Sequence, residues 1–411
     1  GLGSGLDLNT IISQIVQVER QPIARMKSRQ DLVRRQLSAL EGVTSRVSIL
    51  ATAATALSSP SRWGGVRAAS SDPSVATVST SAAGSSGTLS FAVSSLASSH
   101  AIRSTATFAS TSDAATSASR LILGVGLSAA GVSSLRTDDV IAAGATSFSV
   151  NRSSAPAVRT GNSSLSGLIT IDPTNDTFFV DVNGSPRSIT LAHGTYDRSA
   201  LAAALSAAFT AAGVAVSADV ENDALVLSTA LEGSSASIQV TGGTALASLG
   251  FDVDTTAVVG TDALVSFGGV ETTITSVGSG SPITLDGPAG SSITAVLSGG
   301  LRTHSATLAV IDTGSKSLRS VVEAINASRT TSGVSAAAVR VGTNAFRLQL
   351  SSTTTGAAAT LNIDSSALSA AGSFVQTSQA ADAVITVGEG PGAYTVQSAS
   401  NTFTDLLPGV S

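Results

Sequence analysis

The sequence contains no cysteine. That excludes disulfides, thiolate metal sites and cysteine nucleophiles together, and it leaves the redox compartment open. Aromatic residues are 3% and charged residues 12% of the 411 residues. With a mean hydropathy of +0.34, so little charge excludes a solvated disordered chain. The cores must therefore be built from Ala, Val and Leu. An excess of basic charge is missing too: the net charge of −5 argues against a nucleic-acid partner. No apolar run of about eighteen residues occurs, so no membrane-spanning helix is expected. The Ala-rich stretch from Ala202 to Ala218 comes nearest, but Ser206, Thr210 and Gly213 interrupt it. The start lacks an initiator Met and the basic region of a signal peptide.

Signatures of chemistry are equally scarce. His100, His193 and His304 stand apart without metal-ligand spacing, and each reads as a surface or strand-edge residue. No Gly-x-Ser-x-Gly elbow, phosphate loop or HExxH helix is present. Gly124-Val125-Gly126 fails the dinucleotide fingerprint, because Ala129 holds the third glycine position and no acidic residue in a βαβ setting supports it. Asp172, Asp176 and Asp181 lie close in sequence, and turn chemistry accounts for the first two. Asn-x-Ser/Thr triplets at Asn151, Asn162, Asn175 and Asn326 are expected by chance in so Ser/Thr-rich a chain. No catalytic group, metal or cofactor is expected, and the chain does not read as an enzyme.

What is present is an arm, a β-rich body and a repeat. Asp7 or Asn9 can cap a first helix, on which Leu8, Ile11, Ile12, Ile15 and Val16 form one apolar stripe. Pro22 should stop or kink it. A second helix is expected from about Ile23 to Leu57. In sevens, Met26, Val33, Leu40, Val47 and Ala54 share one position; Val43, Leu50 and Leu57 follow three residues later, a coiled-coil seam. Arg29 and Gln36 weaken its start, and Gly42, costing roughly 1 kcal/mol in a helix interior, marks a hinge. Six basic residues between Arg20 and Arg35 read as a solvated helix face, diluted by Glu19 and Asp31. Pro60, Gly64 and Gly65 end the arm around Trp63, which reads as a core anchor.

Beyond the arm, Val75 to Ser79 and Thr88 to Val93 alternate like half-buried strands. Thr105 to Ser166 is the least legible stretch, with short strands such as Thr146 to Val150. Two internal repeats follow. In the first, a helix with Leu201, Leu205 and Ala208 leads to Gly213-Val214 and strands around 216–220, 224–228 and 237–240. In the second, a helix with Leu318, Val322 and Ile325 leads to Gly333-Val334 and strands around 336–341, 346–350 and 360–363. Each is a helix with antiparallel strands, an α+β module. Residues 263–310 between them read as four or five short strands, and strands at 383–387 and 394–396 close the chain.

Several stretches carry a resemblance. Gly3-Ser4-Gly5-Leu6-Asp7-Leu8-Asn9 and Ile11-Ile12-Ser13-Gln14-Ile15-Val16 with Glu19 look like the start of the bacterial flagellar filament cap family, the type 2 hook-associated proteins. Gly87 to Ala97 resembles that family's N-terminal strand pair. Both repeats, above all Val322 to Ala327 through Leu350-Ser351-Ser352, resemble the motif inserted in flagellins and hook-associated proteins. Gln379 to Ala383 and Asn401-Thr402-Phe403 through Leu407-Pro408-Gly409-Val410 resemble the return into the family's conserved head.

This resemblance implies an α+β fold: a helical, coiled-coil arm on a multi-domain, mainly antiparallel β body with two flagellin-type inserted repeats. It implies an arm at 1–41, a head from 42–106 with 376–411, and outer domains at 107–260 and 261–375. Assembly would run through Leu8, Ile11, Ile12, Ile15, Met26, Val33, Leu40, Val43, Val47, Leu50 and Leu57, with the hinge at Gly42 and a head motif of Asn401, Pro408 and Gly409. The implied partners are flagellin and further copies of the chain, roughly four to six in a closed multimer, with junction hook-associated proteins and an export chaperone besides. The implied site of action is extracellular, at the flagellum tip. The family pairs its arm with a C-terminal helix, so a chain truncated after Ser411 is expected. An alternative reading is a surface adhesin that meets host cells or mucus through the outer β domains.

Overall fold

A computed structural model describes residues 8–58, 67–81, 84–138, 140–404 and 406–411. The glycine-rich opening through Asp7, the residues Pro60, Gly64 and Gly65, and the expected Trp63 anchor lie outside the described residues. The chain divides into two compact units, 1–88 with 402–411, and 89–401.

The first unit holds helix α1, Leu8–Ser58, 51 residues without interruption. The expected stop at Pro22 does not occur, and the helix runs on through Gly42 as well. A single proline removes one N–H donor, a local loss that the helix on either side absorbs here. Val75 to Ser79, expected as a strand, is not one. The Asp72 carboxylate accepts hydrogen bonds from the Ser74 N–H (3.0 Å) and hydroxyl (2.6 Å), and the Asp72 carbonyl accepts from Val75 and Ala76 (both 3.1 Å). These local bonds close a turn in place of a ladder.

The second unit is a set of nested insertions, read by walking out along the chain and back. The outward strands are β1 (Phe91–Ser95), β2 (Ala101–Ser104), β3 (Arg120–Val125), β4 (Val132–Thr137) and β5 (Gly144–Arg152). The innermost insertion then holds β6 (Pro156–Thr160), β7 (Ile169–Ile171), β8 (Thr177–Val182), β9 (Ser185–Thr190), β10 (Gly194–Tyr196), helix α2 (Arg198–Ala211), β11 (Val216–Glu221), β12 (Ala224–Glu232), β13 (Ser237–Gly242), the one-turn α3 (Leu246–Leu249) and β14 (Val258–Val259). The return comprises β15 (Ala263–Phe267), β16 (Val270–Ile274), β17 (Pro282–Asp286), β18 (Ser292–Leu297) and β19 (His304–Asp312). After it come α4 (Leu318–Ala327), the one-turn α5 (Arg329–Ser332), β20 (Val334–Gly342), β21 (Ala345–Ser352), β22 (Leu361–Ile363), β23 (Phe374–Ser378), β24 (Ala383–Val387) and β25 (Tyr394–Ser398).

Every paired neighbour is antiparallel, and each level of nesting is closed by pairing an outward strand with a returning one: β1 with β24, β2 with β21 and β23, β3 and β5 with β19, β5 with β15. The boundary expected at 260/261 needs correction. β5, on one side of it, hydrogen-bonds to β15 on the other, and both line one core. Residues 156–259 are a separate insertion with their own core, which includes Phe178, Leu201, Leu205, Phe209 and Leu227.

The six-stranded sheet β16-β15-β5-β19-β3-β22 separates two further cores. Successive side chains on a strand point to opposite faces. Ile122, Leu308 and Val310 accordingly face one core, while Leu121, Leu123, Ala309 and Ile311 face the other. This explains why 105–166 was hard to read. Leu121-Ile122-Leu123 is buried on both faces and shows no alternation, and β5, at nine residues, is longer than expected.

The two repeats appear where expected, as α2-β11-β12-β13 and α4-β20-β21-β22. Asp197 caps α2 by accepting the Ala200 N–H (2.8 Å), and Ser317 caps α4 by accepting that of Ser320 (3.2 Å). Leu201, Leu205 and Phe209 pack the first helix down; Leu318, Val321 and Ile325 pack the second, with Val322 only partly buried.

Candidate assembly surfaces

At 1.5 Å per residue, α1 spans about 77 Å. Its seam side chains all face solvent, from Ile11 at 36% exposed to Met26 at 69%. Ile12, Ile15, Val33, Leu40, Val43, Val47, Leu50 and Leu57 fall between these limits. Leu8 begins the helix, but its side chain lies outside the described residues. Fully burying one such side chain is worth roughly 1.5–3 kcal/mol. An apolar row this long is the mark of an interaction surface. A Cβ added at Gly42 would meet nothing within 4 Å, so no close approach requires a glycine there.

The C-terminal residues singled out by sequence take part in specific pairing. The Asn401 Oδ1 accepts the Ala97 N–H at 2.7 Å, which ties the end of the β body to the start of β2. In the arm-bearing unit, Pro408 O accepts the Ser85 N–H (2.9 Å) and Gly409 O accepts that of Ser81 (2.8 Å). Ser79 and Ser411 exchange both backbone bonds, at 2.7 and 2.9 Å. Gly409 adopts φ +74°, and a Cβ there would meet Ser81 Oγ at 2.6 Å, so only glycine fits this pairing.

The polar groups weighed for chemistry are dispersed. His193 Nε2 lies 2.9 Å from Asp176 Oδ2 in an exposed pair. Asp172 is occupied by Thr174, whose N–H and hydroxyl lie at 2.8 and 2.6 Å, which is the turn expected of it. His100 is half-buried, and its Nδ1 accepts the Leu361 N–H at 3.0 Å; burial pushes its pKa below the ordinary value. Among the described residues no group of three or more His, Asp or Glu side chains is arranged to hold a metal.

Two arrangements escape a stretch-by-stretch reading of the sequence. At the base of the innermost insertion, the Arg302 guanidinium grips Glu232 through two bonds of 2.8 Å. Ser154 donates to the same carboxylate at 2.5 Å. Burial pushes the Glu232 carboxyl up, but the bonds from Arg302 and Ser154 and the Arg302 charge together bring it below its ordinary value. The residues come from three distant stretches, so no local pattern could have announced them. The second arrangement is a pair of side-chain caps on strand edges. Ser206 on α2 bonds both the N–H (2.8 Å) and the carbonyl (3.1 Å) of Ala218, and Asn326 on α4 does the same for Ala336 (both 2.9 Å). Each cap lies seven residues before its repeat's glycine, Gly213 or Gly333, a regularity that aligning the repeats would have exposed.

Residues 4–100 match the family model described as the flagellar hook-associated protein 2 N-terminus. No curated protein matches the chain. Among solved structures, the chain is similar to the D1-D2-D3 domains of the flagellar cap protein FliD from Escherichia coli, at 16% identity and TM-score 0.34, over 54% of this chain and 63% of that one. It is also similar to FliD (HAP2) from Pseudomonas aeruginosa PAO1, at 18% identity and TM-score 0.25, over 52% of this chain and 100% of that one. The FliD D2-D3 domains from Serratia marcescens match at 15% identity and TM-score 0.28, over 43% and 99%. The chain thus spans less than two thirds of the Escherichia coli chain. The part of the chain that resembles the flagellar hook-associated protein 2 family at its N-terminus is thus residues 4–100, which contain all of α1 and the strand β1.

Proposed function

We propose that this protein is a structural, non-catalytic cap at the distal end of the bacterial flagellar filament. It acts outside the cell as a closed homo-oligomer of roughly four to six copies. There it holds flagellin while the subunits fold and polymerise. Junction hook-associated proteins and an export chaperone are its further partners. Residues 1–41 serve as the assembly arm, and 42–106 with 376–411 form the head around Asn401, Pro408 and Gly409.

The family match over residues 4–100 carries this reading. The uncovered apolar seam of α1 supports it, because a surface of that kind needs partners. Deleting the gene in the source bacterium is expected to leave filaments short or absent, with unpolymerised flagellin in the medium. The native gene restores filaments. A Leu40→Asp gene does not, while circular dichroism of the purified variant keeps its β signal. Full-length filaments in the deletion strain would overturn the proposal.

A further inference from the structure

The two repeats differ at one edge. β11 is the outermost strand of β11-β12-β6, and β20 is the outermost strand of β20-β21-β2-β23. The hairpins align through shared contacts. Ser217 donates to Ser228 O in the first and Ser335 to Ser351 O in the second, and the helix caps fall on Ala218 and Ala336. On the outward face, Ser217, Asp219 and Glu221 of β11 therefore answer Ser335, Ala337 and Val339 of β20, which runs on to Val341.

Backbone groups on an edge strand point outward at every second residue. In β11 these are Ala218 and Val220. Ser206 caps the first, and the Asp219 carboxylate accepts the Val220 N–H at 2.7 Å. In β20 the outward residues are Ala336, Ala338 and Arg340. Asn326 caps Ala336, but among the described residues no side chain caps the backbone of Ala338 or Arg340. Val339 and Val341 flank this open stretch at 37% and 52% exposed. Charges, caps and bulges are the usual guards of an edge. β11 has two of them on its outward face, whereas on β20 the guards beyond Ala336 come only at its end, where Arg340 donates to the Gly342 carbonyl at 3.2 Å and the register shifts between Arg340 and Gly342.

We propose that the β20 edge is an interface with a second copy of this chain, formed by antiparallel pairing of β20 with β20 about a two-fold axis at Val339. Ala338 and Arg340 of one copy then exchange backbone bonds with Arg340 and Ala338 of the other. The exposed apolar side chain at the axis covers itself: Val339 meets Val339, ahead of the register shift between Arg340 and Gly342. The partner strand ends opposite Ala336, so the Asn326 cap stays in place. Charge also favours a second copy. Asn326 reaches the edge from α4, and Glu323, one turn earlier on the same helix face, is exposed beside it. Pairing sets Arg340 of one copy opposite Ala338 of the other, next to that copy's Glu323, and does so twice by symmetry. Arg347 is held away from the edge by the Ser104 and Thr105 carbonyls, at 2.6 and 2.7 Å.

The absence of cysteine makes the test clean. In the 411-residue chain, Val339→Cys is expected to form a disulfide-linked dimer under mild oxidation, because residues opposed at a non-hydrogen-bonded position of two antiparallel strands lie within disulfide reach. Glu221→Cys, on the capped β11 edge, is expected to stay monomeric. Arg340→Glu and Glu323→Arg should each weaken self-association, measured by sedimentation of the unoxidised chain, by about tenfold or more, and the double variant should restore it. Cross-linking of Val339→Cys no greater than that of Glu221→Cys would overturn the proposal. So would association indifferent to positions 323 and 340, whether it ran through α1 or through a different partner.

Discussion

In the first repeat, α2 and the β11–β12 hairpin carry four carboxylates and one arginine across residues 198–232; in the second, α4 and the β20–β21 hairpin carry four arginines and one carboxylate across 318–352. The frame beneath is shared. A capped helix lies on a hairpin, and one polar side chain reaches from the helix to the strand edge. What differs is the outward face of the edge strand. Asp219 and Glu221 guard β11, whereas Ala337, Val339 and Val341 leave β20 apolar. Core positions hold a repeat to its shape, because packing punishes small changes in volume. Solvent-facing positions are free to change sign. The comparison shows that one scaffold can present a carboxylate-bearing outward face on the edge strand of one copy and an apolar one on the other without any change in how it folds.

The independence of the two cores gives the largest expected effect. Phe209 is fully buried in the first core and stacks edge-on with Phe178 at 6.4 Å. Phe209→Ala is expected to destabilise that insertion by roughly 3–5 kcal/mol. Hydrogen exchange should show protection lost across α2 and β8 while 318–352 keeps its protection. Simultaneous loss in both would mean that the repeats share one cooperative unit.

Next in size are the edge caps. Asn326→Ala strips both backbone groups of Ala336 of their partner and should cost about 1–2 kcal/mol in urea unfolding. Ser206→Ala, at the equivalent place in the first repeat, should cost about as much. A much smaller loss at Asn326 would mean that the second edge does not depend on its cap.

A subtler contrast lies where the hairpins end. Glu232 anchors the first to Arg302 and Ser154, while Thr355 stands at the matching position of the second. Because the folded-state pKa of Glu232 lies below its ordinary value, the stability this carboxylate contributes is present above that ordinary value and is lost as pH falls through the folded one. Glu232→Gln should lower stability at neutral pH and flatten the acid limb for the first repeat alone. An unchanged acid limb would show that the anchor carries no such coupling. Smallest of all is Val339→Glu, which installs on β20 the carboxylate that β11 carries. On an exposed edge it should change folding stability by no more than about 0.5 kcal/mol. A larger loss would show that Val339 packs within its own copy.

Much of this was legible in the sequence. Both repeat helices and their strands appear within a few residues of where period and turn chemistry put them, as do the five strands between 263 and 312. Asn183-Gly184, both at positive φ, forms the β8–β9 turn, and that dipeptide is itself a hairpin signal in the sequence. Other parts were hidden for identifiable reasons. Pro22 predicts a break, yet the helix continues through it. Val75 to Ser79 alternates like a strand, yet the Asp72 turn and the pairing of 79–81 with 409–411 claim its backbone. The boundary at 260/261 failed because repeats are local signals, whereas β5 and β15 pair across more than a hundred residues of inserted chain.

The sequence by itself determined the local elements, the apolar seam of α1, the absence of cysteine chemistry and the presence of two copies of one module. Each follows from side-chain period or composition, which need no knowledge of distant contacts. Only the tertiary structure decided the nesting of the insertions, the two-faced burial of β3 and β19, the grip of Arg302 on Glu232 and the contrast between a capped and an open strand edge. Those features depend on which strands become neighbours. Neighbours are chosen by the burial of whole faces and by the antiparallel return of the chain, and no single stretch of sequence carries that information.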